Sequence, residues 1–236
     1  MQLQVLDPRK KLIRAGGCRG LLEGDALKVL VACEYSGRVR RAFSALGHDV
    51  MSDDYEPAED NSQNHYQGDC FDLINDQHFD LMIAHPPCTY LSVSGMHWTT
   101  RGLRDPNLTE DALRFVQRLM DAPIAKIAVE NPVSVISSRI RKPDQIVHPY
   151  QFGEDASKKT CLWLKGLQPL SPTSFVEPRM VCCGAAVPNG EKHSTHFHQE
   201  TADLVAAALN TKLSSAGGNA TERSEGRVDC NVGRRI

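Results

Sequence analysis

From residue 28 onward, short apolar runs alternate with stretches in which apolar residues recur every three or four positions. Lys28 to Cys33 is apolar and β-branched, which predicts a buried strand. Gly37 to Leu46 carries Val39, Ala42, Phe43 and Leu46 at helical spacing. Asp49 to Ser52 predicts a short second strand, Phe79 to Ala84 a stronger third and Ile124 to Val129 a fourth. Between the last two, Thr109 to Met120 places Ala112, Leu113, Val116, Leu119 and Met120 on one side of a helix. Such alternation predicts an α/β domain, with a mostly parallel sheet and helices on both faces. Ligands in that architecture gather beyond the carboxyl ends of the strands. The residues just after each strand are therefore the candidates for chemistry.

The flanks read differently. Residues 1–27 carry mixed charge and a Gly-rich run, which predicts a disordered leader, and 214–236 predict a disordered tail. The working domain is then 28–213, with Thr201 to Leu213 a helix docked on it. The 236 residues are 41% hydrophobic, enough for one real core, and the net charge of −2 favours no class of partner. No apolar run of about 18 residues occurs, so no membrane span is expected, nor is a secretory signal. Eight scattered cysteines, several in apolar runs, fit a reducing cytoplasm. Cys182, Cys183, His193, His196 and His198 match no standard zinc spacing, so no metal is expected.

Each strand end carries a candidate. After the first comes Tyr35-Ser36-Gly37, a turn into a helix that suits either a cofactor loop or an ordinary βα connection. After the second comes Asp53-Asp54, acids that serve either ribose hydroxyls or a solvated loop. Asp69 follows, suited to an adenine amino group or to a turn. The third strand ends in His85-Pro86-Pro87-Cys88, where two prolines stiffen the loop and hold a thiol in a fixed direction. The fourth ends in Glu130-Asn131-Pro132, a carboxyl group that is costly to bury without a ligand or a cap.

Pro86-Pro87-Cys88 followed 42 positions later by Glu130-Asn131 resembles the Pro-Cys and Glu-Asn motifs of the cytosine-C5 DNA methyltransferases. More closely, residues 31–39, 84–95 and the Phe152-Gly153 to Trp163 segment resemble small phage-type methyltransferase-like proteins. The resemblance spans roughly 28–213. It implies a Rossmann-like, S-adenosylmethionine-dependent methyltransferase fold. It makes Cys88 the nucleophile, Glu130 the acid at the substrate base and Asn131 a support for the Cys88 loop. It places S-adenosylmethionine against Tyr35, Ser36, Gly37, Asp54, Asp69 and Pro86. The chain departs from the family in a glycine-poor cofactor loop, in Glu-Asn-Pro for Glu-Asn-Val, and in the absence of an Arg-x-Arg motif. Lys158 to Trp163 stands where that motif would be, with Lys158 and Thr160 as contacts to the base or its phosphate.

The implied partner is double-stranded DNA, met by a single copy of the chain. Residues 126–165 hold seven basic and four acidic residues, a surplus of three, and Arg139, Arg141 and Lys142 suit phosphate contacts or a solvated loop. A small target-recognition region is expected at about 139–198. Two other readings keep the fold. One acts on RNA or a free nucleotide, or transfers another one-carbon group; the other is a non-catalytic nucleic-acid-binding relic.

Overall fold

The computed structural model describes residues 26–178, 180 and 181. The elements are β1 (Lys28–Ala32), α1 (Arg38–Ala45), β2 (Asp49–Asp54), β3 (His65–Gln67), α2 (Cys70–Asp76), β4 (Leu81–Ala84), α3 (Val93–Thr100), α4 (Asn107–Asp121), β5 (Lys126–Pro132), α5 (Ile136–Arg139), β6 (Gln145–Val147), β7 (Ala156–Ser157), β8 (Thr160–Lys165) and β9 (Met180–Val181). Seven strands form one sheet in the order β3-β2-β1-β4-β5-β8-β6. The first five are parallel, and β8 runs antiparallel to both of its neighbours. β7 and β9 make a separate two-stranded pair.

Strand alternation explains the two-sided core. Leu30, Ala32, Met82, Ala84, Ile127 and Val129 face one way, against Phe71 and Ile74 of α2 and Leu113, Val116 and Leu119 of α4. Val29, Val31, Leu81, Ile83 and Ala128 face the other way, against Val39 and Phe43 of α1 and the loop residues Phe152 and Leu170. Burial on both faces is why these strands read as continuous apolar runs. The result is the α/β, Rossmann-like arrangement expected, a mostly parallel sheet with helices on both faces.

Several element boundaries differ from the sequence reading, and three have a visible cause. β4 begins at Leu81 because Asp80 caps the edge of β1 instead, its carboxylate accepting from the Lys28 amide at 2.8 Å. β2 runs on through Asp54, since the two acids pair in register beside Tyr66 and Gln67 of β3. β5 runs on through Pro132, because β8 continues to pair with it as far as Thr160. The described part of the expected target-recognition region contributes β8 and β6 to the main sheet. Leu162 and Trp163, on opposite faces of β8, are both fully buried. The leader through residue 25, the 201–213 helix, the 214–236 tail and the Cys182, Cys183, His193, His196 and His198 group lie outside the described residues. Among the described residues, no helix is long and apolar enough to cross a membrane.

Candidate active site and cofactor cavity

The loop after β4 is tied down at His85, Pro86 and Cys88. The His85 amide donates to the Ala32 carbonyl at 2.9 Å, continuing the β1 ladder by one step. Asn131, on β5, donates from Nδ2 to the Pro86 carbonyl at 2.8 Å in a buried bond. The Cys88 carbonyl accepts from the amides of Leu91 and Ser92 at 3.0 and 2.8 Å. Ser92 then caps α3 by accepting from the Gly95 amide. A Cβ at Gly95 would collide with the Thr89 carbonyl, so that position needs glycine for close approach to the loop. Arg104 donates to the same carbonyl at 2.9 Å.

The side chains at this rim interact across three strand ends. His85 Nδ1 lies 3.3 Å from Glu130 Oε2, with the two side chains only 19% and 15% exposed. Glu34, just past β1, is buried, and burial raises its carboxyl while His85 pulls it back down. Cys88 is half-buried. Burial pushes its thiol up, Glu130 pushes it further, and Lys158 opposes both. A thiol, a carboxyl group, an imidazole and a cation thus share one rim.

Beside this rim lies a cavity of about 320 Å³. Asp53, Asp54 and Asp69 line it on one side, Pro86 and Pro87 on another, and Leu108 and Phe115 close it from α4. The three acids have different surroundings. Asp54 accepts from the Glu56 amide at 3.0 Å in a local turn. Asp69 accepts from the Phe71 amide at 3.0 Å and so caps α2. Asp53 is buried, its Oδ1 has no partner among the described residues, and burial lifts its carboxyl to about 7, against the Cys33 amide, which lowers it. Cys33 also lines the cavity and holds a left-handed backbone, φ 59°, a strained state that costs about 1–3 kcal/mol.

These acids and apolar walls fit a nucleoside. Carboxylate oxygens would accept from ribose hydroxyls and an exocyclic amine, and Leu108 and Phe115 would give a base an apolar bed. The size is within the usual range for small-molecule sites, about 300–1,000 Å³.

Other candidates sit elsewhere. Tyr35, Ser36 and Gly37 are not on the cavity wall. Ser36 Oγ donates to Glu34 Oε1 at 3.0 Å, and the Val39 amide donates to the same oxygen at 2.9 Å. Gly37 has φ 69°, and a Cβ there would meet the Arg40 guanidinium and the Asp60 carboxylate. Its glycine answers to that packing. Lys158 is half-buried, and Thr160 is buried at the end of β8 with no partner for Oγ1 among the described residues. Arg139 pairs with Glu110 at 2.7 Å and Arg141 with Asp144 at 2.8 Å, both at the surface, and Lys142 is exposed. Sequence reasoning gave His85 no role of its own, and read Asp53 only jointly with Asp54, as acids for ribose hydroxyls or a solvated loop. Their signal was position alone, each standing at a strand end beside the residue chosen.

No protein-family model matches the chain, and no curated protein does. Among solved structures, it is similar to the Entamoeba histolytica methyltransferase EhMeth, at 14% identity and a TM-score of 0.46 over 65% of this chain and 58% of that one. It is similar to the S. pombe Dnmt2 methyltransferase at 16% and 0.40, over 61% of this chain and 51% of that one. The bifunctional kinase-methyltransferase WbdD aligns at 12% and 0.36, over 62% and 38%. The chain therefore spans about half the length of these structures, or less. The order of its own sheet fixes the fold class, and its own residues define the site.

Proposed function

We propose that this chain transfers a methyl group from S-adenosylmethionine to C5 of a cytosine in DNA, through a covalent bond between Cys88 and C6. The observation that carries the reading is the buried bond from Asn131 to the Pro86 carbonyl. It locks the Cys88 loop against the strand end that bears Glu130.

Cytosine C5 is a poor nucleophile. A thiolate added at C6 turns the ring into an enamine whose C5 carries the electron pair. Cys88 supplies the thiolate, and Lys158 offsets the charge. Glu130 faces N3, where negative charge would otherwise build up, and supplies a proton there. Loss of the C5 proton to solvent, with return of the N3 proton to Glu130, then expels Cys88. S-adenosylmethionine supplies the electrophilic methyl group. Asp53, Asp54 and Asp69 would hold its hydroxyl and amino groups, with Leu108 and Phe115 against its base and Pro86 and Pro87 beside the methyl donor. A base in a duplex must leave the stack, at a cost of a few kcal/mol offset by pocket contacts. Lys158 and Thr160 are assigned to the flipped nucleotide, and Arg139, Arg141 and Lys142 to phosphates.

The test is a covalent trap. Full-length protein, S-adenosylmethionine and 5-fluorocytosine duplex are combined, with Cys88→Ser as control. A denaturation-resistant adduct with the wild type alone supports the proposal. No adduct, or one formed equally by Cys88→Ser, defeats it. Mass spectrometry of nucleosides after reaction with DNA, RNA and free nucleotides identifies the substrate and the group transferred.

A further inference from the structure

Three consecutive strand ends, those of β1, β4 and β5, place Glu34, His85 and Glu130 side by side. The mechanism above uses only Glu130. It leaves unanswered where Glu130 finds its proton near neutral pH, in a site it shares with a thiolate.

Resting on the cytosine reading, we propose that His85 is a positioning residue that stores the proton Glu130 delivers to the base. His85 Nδ1 is 3.3 Å from Glu130 Oε2, within reach of proton exchange. The opposite ring nitrogen, Nε2, is buried and has no hydrogen-bond partner among the described residues, and the same holds for Oε2 of Glu34. Glu34 interacts electrostatically with His85 and is fixed by Ser36 and Val39 through its other oxygen.

The transfer balances. As the Cys88 thiolate forms the S–C6 bond, the C5–C6 π pair moves into the ring. Glu130 starts as a carboxylate. Nδ1 of His85 gives its proton to Oε2 of Glu130, and Glu130 passes a proton on to N3 of cytosine. The thiolate and imidazolium charges vanish together, and Glu130 ends as the carboxylate it began as. The reverse transfer reloads His85 when Cys88 leaves. The charged groups around the ring are Glu34 past β1, Arg40 on α1 beyond it, Glu130 on β5, Cys88 on the same loop and Lys158 before β8.

The experiment reads exchange of the C5 hydrogen of cytosine in duplex DNA labelled with tritium at C5, using full-length protein without methyl donor. Exchange requires the Cys88 adduct and protonation at N3, and needs no cofactor. For the wild type, the rate should rise with pH as the thiol ionises and fall again as the stored proton is lost. His85→Asn keeps a donor near the position of Nδ1 but cannot release a proton. It should exchange about 100-fold more slowly and lose the falling limb. Glu34→Gln should keep that limb but move it to lower pH. A wild-type profile in folded His85→Asn, or an unmoved limb in Glu34→Gln, overturns the relay and leaves the cytosine reading intact. No exchange by the wild type overturns that reading, and the relay with it.

Discussion

Asn131 reaches across from β5 to donate to the Pro86 carbonyl at 2.8 Å, and neither partner in that bond meets solvent. The two residues are 45 positions apart, so the bond joins two strand ends through side chain and backbone alone. Truncation to Ala leaves a buried carbonyl without a donor, at a cost of about 1–3 kcal/mol. Asn131→Ala should therefore lower Tm by about 3–10 °C in a chain of this size. It should also slow adduct formation at Cys88 by at least about tenfold, because a loosened loop misplaces the thiol. Thermal melts and trapping rates on one preparation check both. A lower Tm with an unchanged trapping rate would show that the loop holds its shape without Asn131.

The thiol of Cys88 sits between opposing influences, burial and Glu130 on one side and Lys158 on the other. Removing either charge should move its ionisation in a known direction. Lys158→Met takes away a cation, so the thiolate forms at higher pH. Glu130→Gln takes away a negative charge, so it forms at lower pH. The rate of iodoacetamide labelling against pH, followed by mass spectrometry on the Cys88 peptide, reads the two shifts. Shifts of the same sign in both variants would remove Lys158 or Glu130 from the neighbourhood of the thiol.

What could be read in advance follows from how local each signal is. β1 declared itself because Val29, Leu30, Val31 and Ala32 are all buried, on alternating faces. α4 declared itself because Leu113, Val116 and Leu119 keep helical spacing. β3 is three residues, His65–Gln67, held by pairing with β2 and by side-chain bonds to Glu56, Tyr55 and Asp72, and nothing in its own sequence marks it as a strand. β8 was not expected as a strand; Lys158 just before it and Thr160 at its start were read as substrate contacts. At the site, Cys88 and Glu130 were legible as strand-end residues. The approach of His85 to Glu130 was not, since it depends on the register of β4 beside β5. Gly37 was legible as a glycine that matters, but its reason, the packing of Arg40 and Asp60 over it, lies in residues that fold back from elsewhere.

Asp53 makes stability depend on pH in an unusual direction. Burial lifts its carboxyl to about 7 in the folded protein, against about 3.9 in an unfolded chain. Between those values the folded state holds a proton that the unfolded state has released. The stabilisation this group contributes is complete at low pH and is lost as pH climbs from about 4 to about 7. The loss is on the order of 2–4 kcal/mol. Asp53→Asn cannot ionise, so its stability relative to wild type should improve steadily over that interval and level off above it. Denaturant melts at several pH values measure this. A constant difference between the two proteins would mean that Asp53 titrates normally.

The basic segment offers a test of the partner that does not depend on catalysis. Arg139 and Arg141 are each paired with a surface carboxylate, Glu110 and Asp144. Surface pairs contribute about 0–1 kcal/mol, so a phosphate can displace either carboxylate at little cost. If all three basic residues reach phosphates, replacing Arg139, Arg141 and Lys142 with Ala should flatten the dependence of log K on log salt. The expected change is about 0.9 per lost contact on duplex DNA. Affinity should fall by a similar factor for unrelated sequences, because phosphates carry no sequence information. Fluorescence anisotropy with two unrelated duplexes at several salt concentrations reads both effects. Labelling of Cys88 by iodoacetamide should be unchanged in the triple variant, since the charges that act on the thiol are those of Glu130 and Lys158. An unaltered salt slope would assign the DNA to another face of the protein, and would leave Lys158 as the cation to test next.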